Sequence, residues 1–286
     1  MKTKKTSDLQ FERDSIECPV TKFNKTGPIA QSPRLKKLHE LSKIINEKHG
    51  GRFLYDITYS GDTSFETLTG TEICSHAVYV HPCNYTVRDS QILEASKDED
   101  HNNIDILERL SLNNNLDKYR LVKQPFASKR EKVVFLPGSN LFELMIDIKK
   151  VDDAVSKGAF VKPHPVTNHD VITFQKRRWG DAVLGHKISG YDVLKNCSEV
   201  YTTGSSEMSI YGVMLGKKVI DIERPQDKRN PAYRPIFNVI LNSEDPYKAL
   251  NNIFNSYKSG IFFIWDDHSK IDKYLNYSIA AIKELS

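Results

Sequence analysis

Nowhere in these 286 residues is there an apolar run approaching the ~20 positions a bilayer-spanning helix needs. The opening stretch, "MKTKKTSDLQFERD", is basic but lacks the apolar segment of a secretory signal. Both absences set the expectation of a cytoplasmic protein. Cysteine is scarce: Cys18, Cys74, Cys83 and Cys197 are scattered, with no CxxC pair and no zinc-type spacing. Reduced structural thiols are therefore expected. Gly-rich phosphate loops of the P-loop or GxGxxG kind are missing. So is a GxSxG elbow, which argues against a hydrolase of that type. There are no internal repeats and no long low-complexity tract.

What is present is ordinary globular composition, 39% hydrophobic and 27% charged. The length suits one large or two modest domains with a real core. The net charge of +4 permits an anionic partner, although a solvated basic face explains it as well. Basic residues cluster at Lys36-Lys37, Lys129-Arg130-Lys132, Lys176-Arg177-Arg178-Trp179 and Arg224 through Arg229. The third cluster adds an aromatic ring, a combination suited to phosphate and base contacts.

Periodicity divides the chain. Ser32-Pro33 starts a helix whose stripe is Leu35, Leu38, Leu41, Ile44 and Ile45, and Gly50-Gly51 stops it. "RFLYDITYS" reads as a strand ending in the turn "SGDT", and "SHAVYVHP" as a second strand. Val87 to Leu112 reads as helical with a solvated middle, "SKDEDHNN". A polar connection follows, placing a boundary near residues 120–132. Beyond it, "KVVFLPG", "AFVKPHP", "AVLGHKI", "EVYTT" and "KKVIDIE" read as short buried strands. Helical stretches lie between them, at "NLFELMIDIKKVDDAVSKG", "NHDVITFQKRRWG", "GYDVLKNC" and "SSEMSIYGVML". That alternation predicts a parallel sheet covered on both faces. The last stretch reads as mostly helical, with "IFFIW" as an apolar packing segment. The expected organisation is an N-terminal domain over 1–130, a Rossmann-like domain over 131–243, and a helical segment over 244–286 packing back on them.

Ligands of such sheets sit outside the carboxyl ends of the strands. Three polar turns are expected there: Gly138-Ser139-Asn140, Lys162-Pro163-His164-Pro165, and Thr202 through Glu207. Gly204 permits a sharp turn, and Ser205 or Ser206 can cap the next helix, whose first amides attract phosphate. Glu207 either complements the helix dipole or accepts hydrogen bonds from sugar hydroxyls. Lys162 supplies a compact positive charge, and His164 a donor for a phosphate oxygen. Together these groups can neutralise a departing diphosphate without a metal. In the N-terminal half, Asp62 and His81 each follow a predicted strand, and either can orient or deprotonate an attacking hydroxyl. Asp98-Glu99-Asp100 is formally a DxD, but without a preceding apolar strand it reads as a solvated face; no metal site is expected.

The K-P-H-P strand end and the G-S-S-E turn running into "LGKKVI" resemble the donor domain of GT-B glycosyltransferases. By that resemblance Lys162 and His164 fall on the HP element, and Ser205 and Ser206 on the paired serines. More of the chain is similar to the small DNA glycosyltransferases of T-even-type phages. "FERDSIECPVTKFNKTGP", "LHELSKIINEKHG", "SHAVYVHPCNYTVRDS" and "VVFLPGSN" carry that likeness. It lies nearest the β-glucosyl-hydroxymethylcytosine α-glucosyltransferases, with the phage DNA arabinosyltransferases as relatives. The resemblance implies an α/β, GT-B-like fold, two Rossmann-like domains with a cleft between them. It also implies a UDP-sugar donor, no separate cofactor, and modified double-stranded DNA as acceptor, protected thereby from restriction. Lys176, Arg177, Arg178 and Trp179 are then the expected DNA contacts. The competing expectations are a GT-B transferase using a CMP- or UDP-sugar on a capsule or surface polysaccharide, and a nucleotide or DNA binder without chemistry. No membrane partner is expected, because no amphipathic basic segment is evident.

Overall fold

The structure, a computed structural model, describes residues 37, 40–41, 44, 52–55, 67–73, 77–82, 84–99, 105–107, 126–165, 167–224 and 233–284. The chain forms two compact units, one of Met1–Asn102 with Ile253–Ser286, the other of Asn103–Asn252. Residues 105–107 and 126–130 thus fall in the second unit, and of the segment 244–286 the part from Ile253 onward falls in the first.

In the first unit, β1 (Arg52–Tyr55), β2 (Thr67–Ile73) and β3 (Ala77–Pro82) precede α1 (Tyr85–Ser96). The side chain of Asn84 caps α1 by accepting from the Val87 amide. In the second unit come β4 (Lys132–Phe135), α2 (Ser139–Met145), α3 (Ile148–Ser156), β5 (Phe160–Lys162) and α4 (His169–Trp179). They are followed by α5 (Gly190–Lys195), β6 (Glu199–Thr202), α6 (Met208–Met214), β7 (Lys218–Asp221) and α7 (Arg234–Asn242). The chain ends with α8 (Pro246–Asn255), β8 (Ile261–Phe263) and α9 (His268–Glu284).

The first unit's four-stranded sheet has the order β1-β2-β3-β8. β1 and β2 run parallel, whereas β2–β3 and β3–β8 are antiparallel, with Thr69 opposite His81 and Val78 opposite Phe262. "IFFIW" is therefore a strand start and not only an apolar plug. Leu41, Val78, Val80, Val87, Phe262, Ile271, Tyr274 and Leu275 close this core. The Gln91 side-chain amide donates to Ser278 at 3.1 Å, tying α1 to α9. β3 is buried along its whole length, so neither of its faces meets water.

The second unit's four-stranded sheet has the order β5-β4-β6-β7 and is wholly parallel, as the alternation predicts. Side chains alternate across a strand. Val134 packs with Leu136, Phe142, Val151, Ala154, Val161 and Trp179, on the face carrying α2, α3 and α4. Phe135 points the other way, toward the start of α5 at Gly190. Both faces of the sheet are covered. "AVLGHKI" contributes a parallel bridge, Val183 to Val161, in place of the expected strand, before the chain turns at His186-Lys187. The long helical stretch after β4 breaks at Ile146, which bridges to Glu223, and Asp147 then caps α3. No helix among the described residues is long and apolar enough to cross a membrane.

Gly260 fixes the register of β8. Its φ is +73°, its carbonyl accepts from the Val80 amide at 2.8 Å, and an added Cβ would lie 2.0 Å from the Val80 carbonyl oxygen. Gly260→Ala should destabilise the protein by about 2 kcal/mol or more, since strain at a left-handed position adds to the clash. Urea unfolding measures it; a loss below about 0.5 kcal/mol, the range of an ordinary surface change, would show that this contact does not hold the strand.

Candidate functional site

From β4 the chain moves outward to β5 and then to the Val183 bridge. It next returns across β4 to form β6, and continues outward to β7. The direction reverses between β4 and β6, and in open parallel sheets ligands occupy the crevice at that reversal. Two of the expected turns flank it, Gly138–Asn140 after β4 and Thr203–Glu207 after β6. The Lys162–Pro165 turn lies next to the first.

At the first turn, the Gly138 carbonyl accepts from the Leu141 and Phe142 amides at 2.9 and 3.0 Å, opening α2. The Ser139 hydroxyl accepts from the Asn168 amide at 2.7 Å and so joins this turn to the entrance of α4. Asn140 lies in α2, and its side chain is outside the described residues. The second turn carries His164 exposed, with its carbonyl accepting from Thr167 at 3.0 Å. Lys162 is placed differently from its expected role. Its side chain is 2% exposed, and Nζ donates to the carbonyls of Pro163 at 2.5 Å and His186 at 3.1 Å. Burial, with no acid beside it among the described residues, pushes its pKa down to about 7. Lys162 lies beneath the turn and clasps it to the 186 segment.

At the third turn the Gly204 amide and the first amide of α6 are already engaged. The Gly204 amide donates to Glu223 Oε1 at 2.6 Å, and the Met208 amide to the Ser206 hydroxyl at 3.2 Å. The Ser205 and Thr203 hydroxyls share a hydrogen bond of 2.8 Å. Glu207 accepts from the Tyr233 hydroxyl at 3.1 Å. The reason for Gly204 is also corrected, since the glycines with positive φ are others. A Cβ there would sit 2.7 Å from Arg234 Cδ and 3.3 Å from Arg234 Cα, so the position needs space for a close approach. Arg234 pairs with Glu223, and at 3.6 Å with Asp221. Sequence reasoning missed Glu223, Tyr233 and Arg234. Glu223 had a legible signal, an acid two residues past an apolar strand. The hydroxyls of Thr202 and Thr167, buried at this same edge, have no hydrogen-bond partner among the described residues.

No protein-family model matches the chain, and no curated protein matches it. Among solved structures it is similar to Thermosulfurimonas dismutans KpsC, a beta Kdo 2,7 transferase. That likeness spans 83% of this chain and 89% of that one, at 15% identity and a TM-score of 0.42.

The expected DNA-contacting run is split by the fold. Trp179 is 7% exposed, packed edge-on against Phe142 and Phe174, and its indole N–H donates to Asp152 at 2.9 Å. It is a core residue and presents no face to a base. Arg178 grips the same carboxylate through two hydrogen bonds of 2.8 and 2.5 Å, and this pairing holds the Asp152 carboxyl below its usual pKa. Lys176 and Arg177 remain exposed. Of the two candidate bases, Asp62 lies outside the described residues. His81 is 3% exposed in the first unit, with Nδ1 2.9 Å from the Pro82 carbonyl oxygen. Burial, and then the Arg88 charge, push its pKa down to about 3. It is a neutral core histidine and does not fit the assignment of a solvent-facing base. Asp98 accepts from Ser256 at 2.6 Å and lies 3.6 Å from the Lys258 ammonium, whereas Glu99 is exposed.

Lys162 yields a pH prediction. Its folded pKa near 7 lies below the ordinary 10.5, so between these values the unfolded chain binds more protons. The burial penalty is complete below pH 7 and is relieved as pH rises, which makes this residue's contribution to stability increase with pH. Lys162→Met removes that dependence. Its stability relative to wild type should fall from pH 7 to 10, by at most about 1.4 kcal/mol per pH unit. Parallel urea-unfolding curves for the two proteins across that range would refute the buried, acid-free assignment.

Proposed function

We propose that this protein is a glycosyltransferase that moves glucose or arabinose from a UDP-sugar to hydroxymethylcytosine, or its glycosylated form, in double-stranded DNA. The observation that carries the donor half is the chain reversal between β4 and β6, which sets the Gly138 and Thr203–Glu207 turns side by side. The sequence likeness to phage DNA glycosyltransferases carries the acceptor half. Two buried threonine hydroxyls at the same edge, without partners among the described residues, add to the donor reading, because buried polar groups are seldom left unpaired.

A nucleotide sugar departs as a diphosphate, and the barrier falls when fixed donors meet that growing charge. In this reading the exposed His164 donates to a phosphate oxygen, with hydroxyls of Ser139, Ser205 and Ser206 beside it. Glu207 accepts from sugar or ribose hydroxyls. Lys162 acts through the turn, clamping two carbonyls, and in its protonated form adds a positive charge where the low dielectric strengthens it. The charge need not touch the phosphate to favour it.

The decisive experiment is nucleoside mass spectrometry. The protein is incubated with hydroxymethylcytosine DNA, bare and pre-glucosylated, and a panel of UDP- and CMP-sugars. A hexose or pentose added to the nucleoside is expected. No product on either DNA, from a folded protein that binds a nucleotide sugar, would remove DNA as acceptor and favour a polysaccharide. His164→Ala should lower turnover at least ~10-fold, which is about 1.4 kcal/mol of transition-state stabilisation. A rate equal to wild type would take His164 out of the donor site.

A further inference from the structure

The first unit holds a cavity of its own, apart from the β4–β6 crevice. Its volume is about 310 Å³, and Asp98, Ser256, Tyr257, Lys258, Lys270 and Lys273 are among the residues that line it. All of these belong to the first unit. The size falls at the lower end of the range in which small ligands are held. Three segments of the chain build it. Asp98 follows α1, Ser256 to Lys258 lie in the turn between α8 and β8, and Lys270 and Lys273 stand on α9. Three positions apart on a helix, those two lysines share a face.

The charge of this lining is unbalanced. Three ammonium groups face one carboxylate, that of Asp98. It is already engaged, accepting from the Ser256 hydroxyl at 2.6 Å and lying 3.6 Å from the Lys258 ammonium. Lys270 Nζ donates to Asp266 at 2.9 Å and to the Phe254 carbonyl at 3.5 Å, so its position is fixed from two sides. Asp267, the next acid at this end of α9, accepts from the hydroxyl and the amide of Ser269. Lys273 is exposed, and it forms no ion pair among the described residues. Its charge is the one the nearby acids leave over. A concave site in which cations outnumber acids concentrates anions from solution.

We propose that this cavity binds a phosphate group, held by Lys258, Lys270 and Lys273. Each ammonium is a compact charge with three donors, and a phosphate offers oxygens in several directions for three such groups to share. The ion pairs to Asp98 and Asp266 set two of the lysines in place, and Lys273 supplies the charge in excess. Two sources carry that chemistry: a small diphosphate and the phosphate backbone of a duplex. The proposal rests on the first unit alone and does not require sugar transfer.

The test is lysine acetylation read residue by residue by mass spectrometry. The folded protein is titrated with inorganic pyrophosphate in one arm and a short DNA duplex in the other. Lys258 and Lys273 should be protected as ligand is added, whereas Lys149 and Lys157, on α3 of the second unit, should react as before. Lys273→Gln changes an exposed side chain and should move the midpoint of Lys258 protection to at least tenfold higher ligand. Protection by pyrophosphate assigns the cavity to a small diphosphate; protection by the duplex alone assigns it to a nucleic-acid backbone. If neither ligand protects Lys258 and Lys273, the site is overturned. It is overturned equally if Lys149 and Lys157 are protected to the same degree, or if Lys273→Gln leaves the midpoint where it was. Sugar transfer with Lys258 and Lys273 unprotected would sink this inference alone, and protection without any product would sink only the proposed reaction.

Discussion

A parallel strand buried on both faces constrains everything around it. β4 turns Val134 to one face and Phe135 to the other, and both must be covered. Crossovers between parallel strands are right-handed, so those running outward through β5 lay their helices on one face. Covering the other face requires the chain to return and proceed in the opposite direction, through β6 and β7. The reversal between β4 and β6 is thus a consequence of burying β4. A crevice at their carboxyl ends comes with it, whatever residues later line it.

The lining shows two ways of keeping a charge inside a fold. Glu223 is 5% exposed yet compensated, accepting from the Gly204 amide and pairing with Arg234. Loss of either partner leaves a buried carboxylate short of a donor, and it is this pairing that fixes the path of the Thr203–Glu207 turn. Among the described residues Lys162 has only carbonyl oxygens for partners, and burial lowers its pKa. A methionine of similar length would avoid that desolvation. A site that sacrifices stability for a positive field is one where such an arrangement is expected.

The regular part of the second unit was legible because a parallel strand buried on both faces reads as a short apolar run, as in "KVVF". β2 was not, since "TLTGTEI" alternates threonine with glycine and glutamate and owes its strand form to pairing with β3. β8 likewise depends on a partner far away in sequence. At the site, the three turns were placed by strand order, but the direction of their side chains was not. His81 looked like an exposed strand end, yet β3 has no wet face on which alternation could operate. Trp179 was misjudged for a different reason. Val171, Ile172, Gln175 and Trp179 fall at helical spacing on one buried stripe, a signal present in the sequence but hidden by the three basic residues before it.

That stripe changes what the positive charge means. A run of four residues in sequence becomes, on a helix, two anchors directed at Asp152 and two cations left in water. A net charge of +4 therefore says little about where an anion is drawn. What matters is which cations lack acids once the chain is folded, because paired charges cancel within a few ångströms while unpaired ones add. Sequence proximity grouped Lys176 with Arg178; the fold pairs Arg178 with Asp152 and leaves Lys176 exposed, and the field follows the fold.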